Sequence, residues 1–452
     1  MTAAQSLVAR AAFGSFAALA TVAVPAWDRF FRGKPAAFDR RLAAAFVASR
    51  AVLYCFVFGL LHLEPRGDIS YYFREATYLL HGALPYRGID TVYAPLHTYM
   101  NAGVLLIWNS PLAIIAFMSI IECIAFPVWM RVARSLWPSQ QDDRTVRMVG
   151  LLYLLCPLSL QFVTIDGQNN VVIELFFALA LLLALRYREL LSGLMLGLSI
   201  STVKFLPLMF APIFFVSLKR RWRWALGGLL GTVPVYGFFA LYHLNILLPF
   251  TQQGVLKEAG GLPFWVEVVC NLALSTRVWN DLLLLPVVAV ILLAGWRAAQ
   301  QSQSAAGYGG ELALEAQHIV RLRVVFLALG IMVATLVCFA CKTWPNYLIM
   351  ALFPLCFVAA QQACAYGWPG RALFALFGFI CEVEHSDYQT VLDHPNALQL
   401  RALLGAHSGA AWGFLGIDLL LLAGYLWLIW LAIRALGRAN NGRELPDSPY
   451  PA

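Results

Sequence analysis

Long apolar segments alternate with short polar segments along most of the chain. The apolar segments are about 15–25 residues long, the length of helices that cross a bilayer or enter it partway. The sequence lacks the alternation over about 10 residues that is typical of transmembrane β-barrel strands. The pattern therefore predicts an all-α fold: a polytopic transmembrane helical bundle with about 12–13 membrane segments and long outer loops.

The segments with the clearest apolar character predict helices that cross the membrane. They cover residues 42–63, 111–130, 147–163, 171–185, 225–242, 281–296, 324–340, 345–362, 369–383 and 411–433. Residues 11–27 form a shorter apolar stretch after Arg10, which predicts either a first span or a signal-like segment. Both interpretations of this stretch stay open at the level of sequence.

Two further apolar segments do not predict simple crossings. Residues 93–108 predict an interfacial or re-entrant helix, because a full crossing would place the basic stretch 131–147 outside, against the positive-inside rule. Residues 190–218 carry basic residues at both ends and are interrupted by Lys204 and Pro207. They predict two half-helices with Lys204 near the bend, since both ends of the segment belong on the cytoplasmic side.

These elements predict one integral membrane domain over residues 1–434. Its long outer loops cover residues of about 64–108, 243–280 and 384–410. Residues 435–452 predict a cytoplasmic tail, and its content of Asn, Gly, Pro and Ser favours disorder.

The composition supports the membrane class. The chain is 61% hydrophobic and 12% charged, whereas a soluble chain is about 25% charged. Its net charge of +8 does not indicate nucleic-acid binding, because cytoplasmic loops of membrane proteins carry excess Lys and Arg. The nine cysteines lie mostly in apolar segments, and the CxxC spacing of Cys338 and Cys341 has no second pair or His cluster beside it. We interpret them as packing residues rather than metal or redox residues.

A polar, aromatic loop directly follows the predicted crossing at 42–63. Asp68 stands near the start of this loop, and aromatic residues follow it at Tyr71, Tyr72, Phe73, Tyr78, Tyr86 and Tyr93. A carboxylate at a partly desolvated interface can serve as a general base, and aromatic faces suit the apolar side of a sugar ring. The plain alternative is a solvated carboxylate on a surface loop.

The spacing of this loop resembles the first outer loop of GT-C glycosyltransferases. The resemblance rests on Asp68, Tyr72, Ala76, Leu80, Gly82, Pro85, Tyr86 and the run Tyr93-Ala94-Pro95-Leu96. It is closest to the polyprenyl-phosphate-mannose-dependent mannosyltransferases of bacterial envelopes, and more distantly to GPI mannosyltransferase I. It implies that Asp68 is the catalytic base. The second acid of the GPI enzyme is replaced by Ser70, so the sequence calls for no metal ion and no cofactor.

The run Asp166-Gly167-Gln168-Asn169-Asn170 resembles the Gly-Gln-x-Asn turn of the bacterial members. One interpretation is that Asp166, Gln168 and Asn169 line the sugar or acceptor, as do Tyr72, Tyr86, Tyr93 and His97 from the first outer loop. The other is a helix N-cap made by Asn169 or Asn170, which we expect in either case.

Two later runs place lysines beside predicted helix ends. Gly193, Gly197 and the run from Ser201 to Pro207 resemble the family's Lys-x-x-Pro block, and Lys204 is a candidate for binding the lipid-linked phosphate. Lys342 precedes an aromatic helix start and is a second candidate, with Tyr347 lining the site. The alternatives are a snorkelling lysine and an interfacial Lys/Trp belt.

Weaker candidates lie elsewhere on the predicted outer face. Arg277 is a third candidate for the donor phosphate, with Trp265 in the same loop. A further group has no metal-ligand spacing and comprises Glu382, Glu384, His385 and Asp387. Glu122 and Asp418 lie within predicted spans, where a hydrogen bond between helices is the plainest expectation.

Taken with the resemblance, the residues predict an inverting glycosyltransferase of the bacterial plasma membrane with its active site on the outer face. It would move a sugar, with mannose favoured, from a polyprenyl-phosphate-sugar donor to a glycolipid or glycan acceptor. The alternative class is a transporter or flippase of lipid-linked saccharides, which predicts paired broken helices in both halves. Only the segment 190–218 shows such a break. A non-catalytic membrane scaffold is the third possibility.

Overall fold

A computed structural model of the chain describes residues 3–24, 28, 31, 33–242, 244–253, 257, 259–305, 310–342, 344–390, 392 and 395–438. This part is almost entirely helical, which confirms the all-α class. In chain order, the α-helices are α1 Ala3–Val22, α2 Pro35–Tyr54, α3 Ile69–Leu80, α4 Pro95–Ile107, α5 Pro111–Leu136, α6 Gln140–Leu155, α7 Asn170–Leu185, α8 Glu189–Thr202, α9 Ala211–Ser217, α10 Arg221–Leu241, α11 Leu248–Gln253, α12 Leu262–Cys270, α13 Thr276–Ala305, α14 Gly310–Phe339, α15 Leu352–Tyr366, α16 Trp368–Thr390, α17 Ala397–Gly405 and α18 Gly409–Arg438.

Other helix types and one small strand pair complete the described elements. Two π-helical segments cover Cys55–Leu60 and Ser159–Ile165, and two 3₁₀ segments cover Leu206–Phe210 and Pro345–Ala351. The strands β1 Leu84–Pro85 and β2 Gly88–Ile89 pair in parallel.

Within the described residues, seven helices are long and apolar enough to cross a membrane. They are Pro35–Leu60, Pro111–Leu136, Arg221–Leu241, Thr276–Gln303, Ala313–Phe339, Pro345–Tyr366 and Gly409–Gly437. An eighth crossing results if Asp142–Leu155 and Ser159–Ile165, which meet at a 49° bend, form one span. The chain is therefore a multi-pass membrane protein. Full-length crossings are fewer than the membrane segments expected. Three predicted segments, 11–27, 171–185 and 190–218, instead contain four shorter apolar helices, at Arg10–Val22, Asn170–Leu185, Glu189–Thr202 and Leu206–Ser217.

Burial separates the central helices from the peripheral ones. The most apolar 18-residue stretch of Ala313–Phe339 is 89% buried, so α14 lies at the centre of the bundle. The corresponding stretches of Arg221–Leu241 and Thr276–Gln303 are each 28% buried. Because those helices are apolar on all sides, their uncovered faces suit contact with lipid.

Helices α8 and α10 pack through glycines with their backbones in contact. A Cβ atom added at Gly193 of α8 would overlap the backbone carbonyl of Trp224 on α10, and one added at Gly197 would meet the backbone of Gly228. Small residues at such an interface allow helix axes to approach closely. The hydroxyl of Ser201 also donates a 2.9 Å hydrogen bond to the carbonyl of Gly231. The carboxyl end of α8 is thus fixed just before Lys204.

A buried ion pair ties the helices near the start of the chain to the core. Arg50 Nε on α2 donates to Glu122 Oε2 on α5 at 3.1 Å, and both side chains are almost fully buried. Ser159 Oγ donates to the other oxygen of Glu122 at 2.5 Å. The expectation that Glu122 makes a hydrogen bond between helices is confirmed. Since both carboxylate oxygens have partners, the charge is compensated inside the bundle.

Several boundaries differ from those expected. Helix α1 packs mainly against α16, so residues 11–22 of the predicted apolar stretch belong to the helical bundle. Helix α16 runs to Thr390, so the start of the expected outer loop at 384–410 is helical. Helix α13 extends to Ala305, nine residues beyond the end of the crossing predicted at 281–296. Residues 439–452, which hold most of the predicted tail, lie outside the described residues.

Candidate active site

Asp68 stands immediately before α3 and is half-buried. Gly67 precedes it with φ of +64°, a conformation that glycine adopts without strain and that turns the chain into the helix. The Asp68 side chain does not cap the helix. One turn further on, the hydroxyl of Tyr72 donates to Asp68 Oδ2 at 3.3 Å. The carboxylate is therefore held at the positive end of a helix by a buried tyrosine.

Three aromatic rings form a wall behind Asp68. The ring centroids of Tyr72 and Tyr93 are 5.2 Å apart in an edge contact, and Tyr93 stacks on His97 at 4.2 Å. All three side chains are buried. Burial, together with the nearby charge of Lys204, lowers the pKa of His97 to about 3. The imidazole is therefore neutral near pH 7 and belongs to the wall rather than to the titrating groups.

Two asparagine side chains lie within hydrogen-bond distance of one ring nitrogen of His97. The amide nitrogens of Asn101 and Asn169 lie 3.2 and 3.1 Å from His97 Nε2. Asn169 occupies the N-cap position of α7, but its side chain makes no capping hydrogen bond. The expected side-chain cap is therefore wrong for Asn169, because its amide is directed at His97. Asn170 is the first residue of α7 and also does not serve as the cap.

Lys204 lies in the break between α8 and the 3₁₀ segment Leu206–Phe210, which confirms the predicted bend. Its Nζ donates to Asn170 Oδ1 at 3.3 Å. The same Nζ lies 4.3 Å from the ring centroid of Tyr347 and 5.7 Å from that of Tyr93. Asp68 is close enough to act electrostatically on this ammonium group. The side chain is half-buried, and its charge lies against two rings and an amide.

Backbone contacts join the Lys204 break to the first outer loop. The Ala94 amide donates to the Val203 carbonyl at 2.9 Å. The side-chain nitrogen Nδ2 of Asn170 donates to the Asn346 carbonyl at 3.1 Å, at the start of the 3₁₀ segment that carries Tyr347. The structure therefore brings together residues from four separate predicted motifs: Asp68, Tyr72, Tyr93 and His97 from the first loop, Asn169, Lys204 and Tyr347.

Tyr86 lies behind the aromatic wall. Its hydroxyl donates to the backbone carbonyl of Tyr93 at 2.6 Å, and its ring meets Phe239 of α10 edge-on. The side chain is 8% exposed. In this arrangement Tyr86 fixes the backbone of Tyr93 and connects the loop to α10.

Asp166 and Gln168 belong to the Asp166–Asn170 turn, and both are buried. Asp166 Oδ1 pairs with Arg10 Nη1 of α1 at 2.8 Å, and Asp166 Oδ2 accepts from Gln161 Nε2 at 3.0 Å. Gln168 is 3% exposed. Asp166 thus links the turn to the N-terminal helix.

Glu75 is a buried acid beside the site that sequence reasoning missed. It lies on the Asp68–Tyr72 face of α3, and the hydroxyl of Thr91 donates to its Oε2 at 2.9 Å. Burial raises the pKa of Glu75 to about 7, although the Thr91 and Thr98 hydroxyls act in the opposite direction. Its spacing of seven residues from Asp68 puts both acids on one helical face, a signal present in the sequence.

The remaining candidates lie outside this cluster or at its edge. Arg277 is exposed in the first turn of α13, and among the described residues no hydrogen bond or ion pair joins it to the cluster. Lys342 is half-buried in the turn before Pro345–Ala351. Glu382 and Glu384 are buried on α16, and the side chains of His385 and Asp387 lie outside the described part. Within that part, no group of three or more His, Cys, Asp or Glu residues is arranged to hold a metal ion.

The fold and this composite cluster define a multi-pass membrane protein with a carboxylate and a lysine facing one aromatic wall. Residues 91–344, more than half of the chain, match the model of glycosyltransferase family 87. The chain belongs to glycosyltransferase family 87. This membership confirms the predicted enzyme class and the resemblance to membrane glycosyltransferases. The matched residues include His97, Asn169 and Lys204, and they begin after Asp68.

The chain is also similar to a solved structure. The crystal structure of ArnT from Cupriavidus metallidurans bound to undecaprenyl phosphate aligns with a TM-score of 0.43 and 14% sequence identity. The alignment covers 88% of this chain and 77% of that chain. No curated protein matches the chain.

Proposed function

We propose that this family 87 glycosyltransferase moves a sugar, with mannose favoured, from a polyprenyl-phosphate-sugar donor to a glycolipid or glycan acceptor. The observation that carries the proposal is the meeting of Asp68 with Lys204 at one aromatic wall. A glycosyl transfer from a lipid-linked phosphate needs a base for the acceptor hydroxyl and positive charge for the leaving phosphate. These two side chains supply both from distant parts of the chain.

Asp68 is the general base in this proposal. Tyr72 donates to Oδ2 of the carboxylate, which leaves Oδ1 to accept the proton of the acceptor hydroxyl. The acceptor oxygen then attacks the anomeric carbon as the bond from that carbon to the phosphate oxygen breaks. The proton passes to Asp68, and the polyprenyl phosphate leaves with the bonding electrons. A single displacement inverts the configuration at the anomeric carbon.

Lys204 stabilises the leaving phosphate. Its ammonium group is oriented by Asn170 and lies over the Tyr347 ring. Preorganised charge in a site with little water stabilises developing negative charge effectively. Lys342 and Arg277 are proposed as further cations along the path of the lipid phosphate. The rings of Tyr93 and Tyr347 offer apolar faces to the sugar.

The site faces the outer side of the bacterial plasma membrane in this proposal. Basic residues flank both ends of the broken helix pair that contains Lys204, with Arg186 and Arg188 before α8 and Lys219 to Arg223 after α9. The positive-inside rule places those ends in the cytoplasm. The break at Lys204 lies between them, on the side away from the basic turns.

The test is sugar transfer by the purified protein with polyprenyl phosphomannose as the donor. The measured quantity is the free polyprenyl phosphate that the transfer releases. We expect Asp68→Asn to reduce the turnover number by about 100-fold or more, because base catalysis is lost while size is conserved. Wild-type turnover in folded Asp68→Asn protein contradicts the assignment of the base. Donor that crosses the membrane without releasing polyprenyl phosphate supports the flippase alternative instead.

A further inference from the structure

Arg10 of the N-terminal helix makes a buried ion pair with the turn beside the site. Its Nη1 lies 2.8 Å from Asp166 Oδ1, and the two side chains are 11% and 6% exposed. Gln161 donates to the second carboxylate oxygen at 3.0 Å. Arg10 and Gln161 therefore each engage one oxygen of Asp166, and the two contacts together fix the start of the turn.

The same turn packs directly against the start of the helix that follows Asp68. Gly167 has φ of +60°, and a Cβ atom placed on it would lie 2.5 Å from Cδ1 of Ile69 and 3.0 Å from Cγ1 of Ile115. Ile69 is the neighbour of Asp68 in the chain and is fully buried. A displacement of the turn therefore also displaces Ile69 and, with it, the neighbouring Asp68.

The last two residues of the turn, Asn169 and Asn170, contact His97 and Lys204. Asn169 contacts His97, and Asn170 accepts the hydrogen bond from Lys204. The five consecutive residues 166–170 thus connect α1 to the residue next to Asp68 and to the hydrogen-bond partner of Lys204.

We propose that Arg10 is a positioning residue. It acts through Asp166 to keep Asp68 and Lys204 at the relative positions that sugar transfer requires. This inference rests on the proposed function. Without Arg10, Asp166 is a buried carboxylate that keeps only the hydrogen bond from Gln161. An uncompensated buried charge is strongly unfavourable, so the turn opens toward water and the two reacting groups lose their relative placement. A misplacement of about 1 Å costs roughly 100-fold in rate.

A second ion pair offers a matched control. Arg134 of α5 pairs with Asp39 at 2.9 Å and also with Asp143, and these side chains are 19% to 28% exposed. Arg134 therefore joins helices through carboxylates as Arg10 does. It makes no contact with the Asp166–Asn170 turn.

The experiment compares Arg10→Ala, Asp166→Asn, their double variant, Arg10→Lys and Arg134→Ala with polyprenyl phosphomannose as the donor. We expect Arg10→Ala to lower kcat about 10- to 100-fold while KM changes by less than about threefold, and Arg10→Lys to recover part of the loss. We expect the kcat of the double variant to be no lower than that of Arg10→Ala, because both substitutions remove the same ion pair. Arg134→Ala lowers the melting temperature but keeps kcat within about threefold of wild type.

Hydrogen–deuterium exchange gives a second measurement that needs no transfer activity. We expect Arg10→Ala to increase exchange at residues 166–170 and 67–72, with Arg134→Ala leaving both segments unchanged. Unchanged exchange at residues 67–72 in Arg10→Ala, or an equal loss of kcat in Arg134→Ala, overturns the positioning role. If the wild-type protein shows no transfer, the proposed function fails, and the exchange pattern alone decides whether Arg10 positions the turn.

Discussion

Asn170 Oδ1 accepts a 3.3 Å hydrogen bond from Lys204 Nζ, while the nitrogen of the same amide donates to the Asn346 carbonyl at 3.1 Å. One side chain therefore orients the candidate phosphate-binding cation and attaches it to the segment that carries Tyr347. An amide suits this position, because it supplies one acceptor for the ammonium group and one donor for the carbonyl. A carboxylate there would keep the first contact and lose the second.

Replacement of Lys204 tests the role of its charge. We expect Lys204→Met to lower kcat/KM about 100-fold or more and to weaken binding of free polyprenyl phosphate, because a preorganised cation is lost. Lys204→Arg keeps the charge and should lose less. Lys219→Met is the control, since Lys219 is exposed in the basic turn after α9. Equal affinity of wild type and Lys204→Met for polyprenyl phosphate, measured by microscale thermophoresis, would contradict phosphate binding by Lys204.

His97 should remain neutral across the range in which an ordinary histidine titrates. Its pKa is lowered to about 3 by burial and by the charge of Lys204. Between about pH 5 and pH 8, where free imidazole gains a proton on acidification, we expect no charge change at this ring. Nitrogen NMR of histidine-labelled protein, with His97→Gln used to assign the signal, measures this directly. A His97 signal that titrates near pH 6.5 would show that the wall is solvated.

Glu75 should make the stability of the protein depend on pH. Its pKa is about 7 in the folded protein against an ordinary value of 4.5. The folded state therefore binds more protons than the unfolded state between these values, so the free energy of unfolding falls as pH rises from about 4.5 to about 7. We expect Glu75→Gln to flatten this part of the profile, measured as melting temperature in detergent. Asp90→Asn is the control, because Asp90 is exposed, and an unchanged slope in Glu75→Gln would rule out Glu75 as its source.

The sequence contained the pieces of the site but not their contacts. The acid after the first long crossing, the break at Lys204 and the amide-rich turn were all visible as local patterns. Each pattern depends on residues a few positions apart, such as the glycine before Asp68 or the proline after Lys204. The link from Asn170 to both Lys204 and Asn346 joins three such runs, and no local pattern specifies it.

Three features of the site were missed or wrongly predicted, each for a different physical reason. The pairing of Arg10 with Asp166 spans 156 positions, and hydropathy gives no information on which buried charges meet. Asn169 was expected to cap α7, because asparagine favours that position. In the structure, tertiary contact with His97 takes precedence over local capping. Glu75 was detectable from its helical spacing to Asp68, although its burial depends on the packing of α4.

Close packing of α8 against α10 makes a final prediction about Gly193. A Cβ atom at Gly193 would overlap the backbone carbonyl of Trp224, and neither backbone can move without separating the helices. Gly237 lies on α10 with open space around its Cβ position. We expect Gly193→Ala to destabilise the protein by about 1–3 kcal/mol through overpacking, whereas Gly237→Ala is neutral or slightly stabilising because alanine favours helix.

The consequence for activity follows from the position of the contact. Helix α8 ends at Thr202, directly before the break that holds Lys204, so a forced separation at Gly193 tilts the segment that presents the ammonium group. Gly193→Ala should therefore weaken polyprenyl phosphate binding as well as lower the melting temperature, and Gly237→Ala should change neither. If Gly193→Ala lowers the melting temperature but leaves polyprenyl phosphate binding at the wild-type level, the α8–α10 contact stabilises the bundle without placing Lys204.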